Sequence, residues 1–254
     1  MKRSQIAAQL YTLRDFCKTE DDLRRTLGKV REIGYEAVQV SGVGPIAPEA
    51  IKQIADEAGL RICATHVSFE ALQNDFAAEV RKHKLWNCGY VGIGSIPKEY
   101  QSGAEGYAAF AREASEVGRR LKEQGLQFIY HNHQFEFEKF GGRTGMDILL
   151  AESDADAFGF ELDTYWVHVG GVDPTEMVRR VSGRMGVVHL KDLAIDGRQQ
   201  VFAEIGEGNL NFNEIIQACR ETGVEWYVVE QDVCRRDPFE SLAISFKYLT
   251  TLAL

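Results

Sequence analysis

A chain of 254 residues, 44% hydrophobic and 26% charged, is long enough for one large core and is neither disordered nor fibrous in composition. Its formal net charge of −9 argues against a phosphate-backbone grip on nucleic acid. No run approaches membrane-spanning length, which argues against a bilayer segment.

In chain order, short β-branched or aromatic runs predict strands at 6–13, 37–41, 61–68, 90–95, 127–133, 158–163, 186–191 and 226–231. Helical spacing of apolar residues lies between them. One helix is expected from Asp21 to Val30, with acids at its start, and another from Pro48 to Ala58, stopped at Gly59. Further helices are expected over Tyr107 to Glu123, Asn213 to Glu221 and Pro238 to Leu252. Strand-to-strand spacing of roughly 25 to 40 residues suits repeated βα units. Eight such units imply an α/β fold with a single-domain (β/α)8 TIM barrel over 1–254, since open doubly wound sheets seldom repeat so regularly. The irregular stretches 134–146 and 192–212 follow strands, so they belong on the face where barrels carry their sites.

Cysteines at 17, 63, 88, 219 and 234, with no C-x-x-C pair, point to free thiols in a reducing compartment. The N-terminus carries no signal-like apolar stretch, and cytoplasm is the expected location.

Four of the strands end in side chains able to hold a divalent cation. Gln127 to Tyr130 runs into His131-Asn132-His133, and Phe158 to Leu162 runs into Asp163. Val187-Val188 runs into His189, and Tyr227 to Val229 runs into Glu230. Carboxyl ends of barrel strands share one face, so these groups can converge. Taken alone, His189 could be a packed core residue. Asp163 could merely cap the next helix. An ionised Glu230 after so apolar a run needs a cation or strong donors. Glu161 shares a strand face with Asp163, and Lys191 shares one with His189. Lys191 could hold an oxyanion or substrate hydroxyl, or pair with Asp192 or Glu161. Glu136 lies close to the fifth strand end, while Gln9, Tyr11 and His66 could bind substrate hydroxyls or be core.

At these residues the chain resembles the sugar phosphate isomerase/epimerase superfamily of xylose isomerase-like TIM barrels, over nearly its whole length. The matching pieces are Ala8 to Arg14, Glu161 to Thr164, Val188 to Asp192, Ile205 to Gly208 with Asn211-Phe212, and Val229 to Gln231. The resemblance implies one divalent ion (Mn favoured, with Zn, Fe or Co as alternatives) held by Glu, Asp, His and Glu. The last three correspond to Asp163, His189 and Glu230. The first falls at His131, with Glu136 a nearby substitute. Endonuclease-like members would place a further His ligand at Trp166, which cannot bind metal, so Trp166 is assigned to the substrate wall. That departure also argues against a DNA-repair nuclease.

The activity so implied is isomerisation or epimerisation of a keto-sugar or related polyol, with Glu230, His133, Glu136 and Lys191 as catalytic candidates. A lyase or dehydratase on the same site is the alternative, and a non-catalytic sugar-binding barrel is the third reading. The expected partner is a small sugar. A homo-oligomer is left open, with Trp86 and Phe202 as candidate interface aromatics.

Overall fold

In the computed structural model, which describes residues 1–253, the eight strands close into a parallel ring. They are β1 (Ile6–Gln9), β2 (Ala37–Val40), β3 (Arg61–His66), β4 (Tyr90–Ile93), β5 (Gln127–His131), β6 (Phe158–Asp163), β7 (Val187–Leu190) and β8 (Trp226–Val229). Each pairs with its successor, and β8 returns to β1 with Ala7 opposite Val228. Around the ring run α1 (Glu20–Ile33), α2 (Pro48–Glu57), α3 (Phe69–Asn74), α4 (Phe76–Leu85) and α5 (Gly103–Glu123). They are followed by α6 (Gly145–Glu152), α7 (Thr164–Val169), α8 (Pro174–Arg180), α9 (Phe212–Glu221) and α10 (Pro238–Thr251).

Local chemistry sets these limits. Thr19 and Asp22 form a reciprocal capping box at the start of α1, and Gly34 ends it in the left-handed region. The first strand stops at Gln9 instead of reaching residue 13, because the Gln9 side chain accepts from the Tyr11 amide and turns the chain into a 3-10 segment over Leu10–Phe16. The fifth stops at His131 for a similar reason, since Glu136 captures the His133 amide at 2.8 Å. The short helices α3, α4, α6, α7 and α8 were not expected; most span only two turns, too few for a clear apolar period. The two irregular stretches carry small antiparallel hairpins, Lys139–Phe140 with Arg143–Thr144 and Asp192–Asp196 with Gln199–Ala203.

Most of the core lies between strands and helices. A separate apolar plug of Ala7, Ala37, Cys63, Ala64, Tyr90, Ile129, Val187 and Val228 fills the barrel. Because side chains alternate along a strand, the next inward positions are two residues on. There stand Gln9, Gln39, His66, His131, His189 and Glu230, with Glu161 on β6 above Gly159. The plug supports a polar belt. No described helix is long and apolar enough to cross a membrane. Trp86 is buried with its indole nitrogen bonded to the Pro48 carbonyl and so lacks the exposure expected of it, whereas Phe202 is half-buried and packs on Tyr165 and Trp166.

Candidate metal centre and active-site cavity

Ligand atoms of His131, Asp163, His189 and Glu230 lie within 4.8 Å of one another, and all four residues are buried. The orientation of each ring has a cause. His131 Nδ1 lies 3.2 Å from the Gly94 carbonyl and can only donate to it, which turns the Nε2 edge of the ring to Asp163 Oδ2 at 3.3 Å. A Cβ on Gly94 would meet His66 Nδ1 at 2.9 Å, so glycine here leaves room for the His66 ring. His189 turns Nδ1 to Glu230 Oε2 at 3.0 Å, and Nε2 to the Gln39 amide oxygen at 2.8 Å and Glu161 Oε1 at 3.3 Å. Asp163 Oδ1 caps α7 by accepting from the Trp166 amide at 3.0 Å, while Oδ2 faces His131 and the cluster.

The belt is charged. Burial alone would raise the Glu230 and Asp163 acids. Lys191 beside both, with His189 at Glu230 and His131 at Asp163, instead holds them below the usual carboxylate range. Burial would lower His189, but Glu161 and Glu230 lift it to about 10. Lys191 Nζ is 2.9 Å from Asp163, 2.8 Å from Glu230 and 2.6 Å from Asp232. It therefore pairs with none of the partners considered from sequence. Asp192 turns away to accept from the amides of Leu193, Gly206, Gly208 and Leu210 at 2.8–3.1 Å.

A cavity of about 290 Å³ opens over the belt, lined by Tyr11, Ser41, His66, Gly94, Ser95, His131, His133, Glu230 and Asp232. His66 reaches Glu161 at 2.5 Å, and its ring is pushed toward neutrality by burial. His133 stacks on Phe135, has no partner for Nδ1, and is driven down to about 3, first by burial and then by His131. Trp166 lies against the His133 ring and the Lys191 ammonium, with its own indole nitrogen unpartnered. Gln9 sits deeper, opposite Gln39, with its amide nitrogen unpartnered. A larger cavity of about 540 Å³ at the opposite end of the barrel, near Gln127, Arg184 and Glu225, holds none of these groups.

Glu136 is the exception. Its carboxyl bonds the Tyr130 hydroxyl and the His133 amide and stands outside both the donor cluster and the cavity lining. The structure thus moves it from the reacting groups to the supports of the His131–His133 turn. Three residues that the sequence left in the background take part: Gln39, Glu161 and Asp232. Period-two counting was the available signal, since Glu161 precedes Asp163 by two and Gln39 is the register partner of Gln9.

A closed parallel barrel with imidazoles and carboxylates gathered at the strand ends defines the TIM-barrel class, with its site on the carboxyl face. Within that class the chain belongs to the xylose isomerase-like TIM barrel family, whose model matches residues 27–251. It is 29% identical to the inosose dehydratase of Lacticaseibacillus casei over 157 residues, 52% of this chain and 50% of that protein. The chain spans about half the length of the inosose dehydratases it matches. A solved sugar phosphate isomerase/epimerase from Parabacteroides distasonis superposes with a TM-score of 0.81 at 24% identity, covering 96% of this chain and 97% of that one. The probable 3-DHS dehydratase AsbF of Bacillus anthracis superposes at 0.74 with 14% identity, covering 98% and 99%. At these identities the two solved structures share the fold.

Proposed function

We propose that the protein is a divalent-metal-dependent lyase that removes water from a keto-polyol or keto-sugar. One observation carries the choice of lyase. Among the described residues, Glu230 is the only carboxylate that both joins the donor cluster and lines the cavity, whereas position 131 is a histidine and Glu136 is sealed away. Epimerisation needs acid/base groups on both faces of the reacting carbon; elimination can use a single base there. The likeness to an inosose dehydratase supports the same reading.

The donor set fits a cation. Two imidazole nitrogens and two carboxylates around one buried point suit Mn, Zn, Fe or Co. Held by His131, Asp163, His189 and Glu230, such an ion would polarise the substrate carbonyl and acidify the neighbouring C–H. Glu230 takes that proton. The C–H electron pair becomes the new C=C bond, the C–O bond of the next carbon breaks, and the hydroxyl leaves as water with a proton from the Lys191–Asp232 pair. Tyr11, His66, Gln9 and the Trp166 wall orient the polyol.

A second reading, isomerase or epimerase, has one specific support: His133 borders the cavity, lacks a partner for Nδ1 and is held neutral. Incubating the Mn-loaded protein with inosose and a panel of 3-keto glycosides in deuterated water separates the two. Loss of water, seen as an enone absorbing in the ultraviolet, is expected. Deuterium uptake beside the carbonyl with water retained would select the isomerase, and neither signal across the panel would count against both.

A further inference from the structure

The Lys191 ammonium sits on the same oxygens a metal ion would need. Asp163 Oδ2, 2.9 Å from Nζ, is also the oxygen facing His131; Glu230 Oε2, 2.8 Å from Nζ, is also the oxygen facing His189. Lys191 has no exposed surface, so it cannot retreat to bulk water without opening the barrel mouth. A divalent ion and an ammonium cannot share this seat, because like charges a few ångströms apart in a protein interior repel by several times thermal energy.

A second seat is already built. Asp232 Oδ2 lies 2.6 Å from the same ammonium, outside the donor cluster and on the cavity wall. The Trp166 and Phe202 rings stand 5.5 and 5.7 Å from Nζ, and their faces attract a cation. The lysine's flexible stem lets it exchange one carboxylate for another over a short path.

We propose that Lys191 is a resident counter-ion of the metal seat. It neutralises Asp163 and Glu230 while the seat is free, and withdraws onto Asp232 when a divalent ion binds. Withdrawal delivers the ammonium to the substrate cavity, so cation loading and placement of the proton donor become one event. This rests on the metal-dependent reading above.

The test is Mn²⁺ affinity, read from the free-ion paramagnetic resonance signal, for four chelator-stripped proteins: wild type, Lys191→Met, Asp232→Asn and the double variant. Lys191→Met is expected to bind about tenfold tighter, its competitor removed, and Asp232→Asn about tenfold weaker, its second seat removed. The double variant should match Lys191→Met, because Asp232 acts through the lysine. An unchanged or weaker Lys191→Met overturns the proposal, as does an Asp232→Asn loss of equal size in both backgrounds, which would mark a plain charge effect. If Lys191→Met does not fold, Lys191→Gln carries the same expectation. Absence of Mn²⁺ binding in all four proteins would instead sink the metal-dependent reading, and this proposal with it.

Discussion

Glu136 shows how a carboxyl beside a site can belong to its foundations. Burial pushes its acid up from 4.5 to about 8, against the pull of the Tyr130 hydroxyl and the His133 amide. The folded protein therefore keeps a proton that the unfolded chain releases. Its contribution to stability is whole below pH 4.5 and is lost as pH rises through about 8. Glu136→Gln should flatten that part of the stability curve, measured as urea midpoints from about pH 5 to about pH 9; an unaltered slope would clear Glu136 of responsibility. Glu161 works through imidazoles, bonding His66 on one side and His189 on the other. Such partners fix ring orientation, so Glu161→Gln should weaken Mn²⁺ binding by about 10- to 100-fold, checked by calorimetric titration, and full affinity in that variant would refute the role. At this scale Asp163, His189 and Glu230 were legible because each ends an apolar run where a charge needs a reason. Gln39 was not, since an amide inside Ala37-Val38-Gln39-Val40 reads as an ordinary strand residue until its neighbours across the barrel are known.

Among the elements, the hairpin Asp192–Ala203 and the turn after it depend on one side chain. Asp192 accepts four backbone amides, those of Gly206 and Gly208 among them, and a Cβ on Gly208 would meet its carboxylate at 2.3 Å. Those amides are spent on Asp192 and are not free to cradle a phosphate. Asp192→Ala strands one buried and three part-buried donors and should cost about 2 kcal/mol, read by urea unfolding, with amide exchange speeding up first at Gly206, Gly208 and Leu210. Protection that stays at wild-type levels there would show that the turn is held by something else. The hairpin itself escaped sequence reading, because Asp192 to Ala203 mixes polar and apolar residues without a sustained alternation. The strands were legible through their β-branched runs. The ends of β1 and β5 were not, being set by backbone amides that the Gln9 and Glu136 side chains capture, which strand propensity does not weigh.

For the molecule as a whole, a cation that binds only the folded state adds stability by mass action. At about 100 times its dissociation constant the gain is ~2.7 kcal/mol, or about 5 to 10 °C for a chain of this size. Chelator-stripped protein should therefore melt several degrees below the Mn-loaded form and recover on adding Mn²⁺, Zn²⁺ or Co²⁺. Identical melting with all three ions and without them would remove the metal centre from the account. The ring closure of the barrel has its own consequence for biogenesis. Ile6–Gln9 finds one neighbour in Ala37–Val40 but the other only in Trp226–Val229. A nascent chain leaving the ribosome thus carries Ile6–Gln9 with one edge bare until Trp226–Val229 has been made. Pausing before Trp226 is made would lengthen the time that edge stays sticky, and a chaperone that shields it should matter more here than for a fold whose first and last strands never pair.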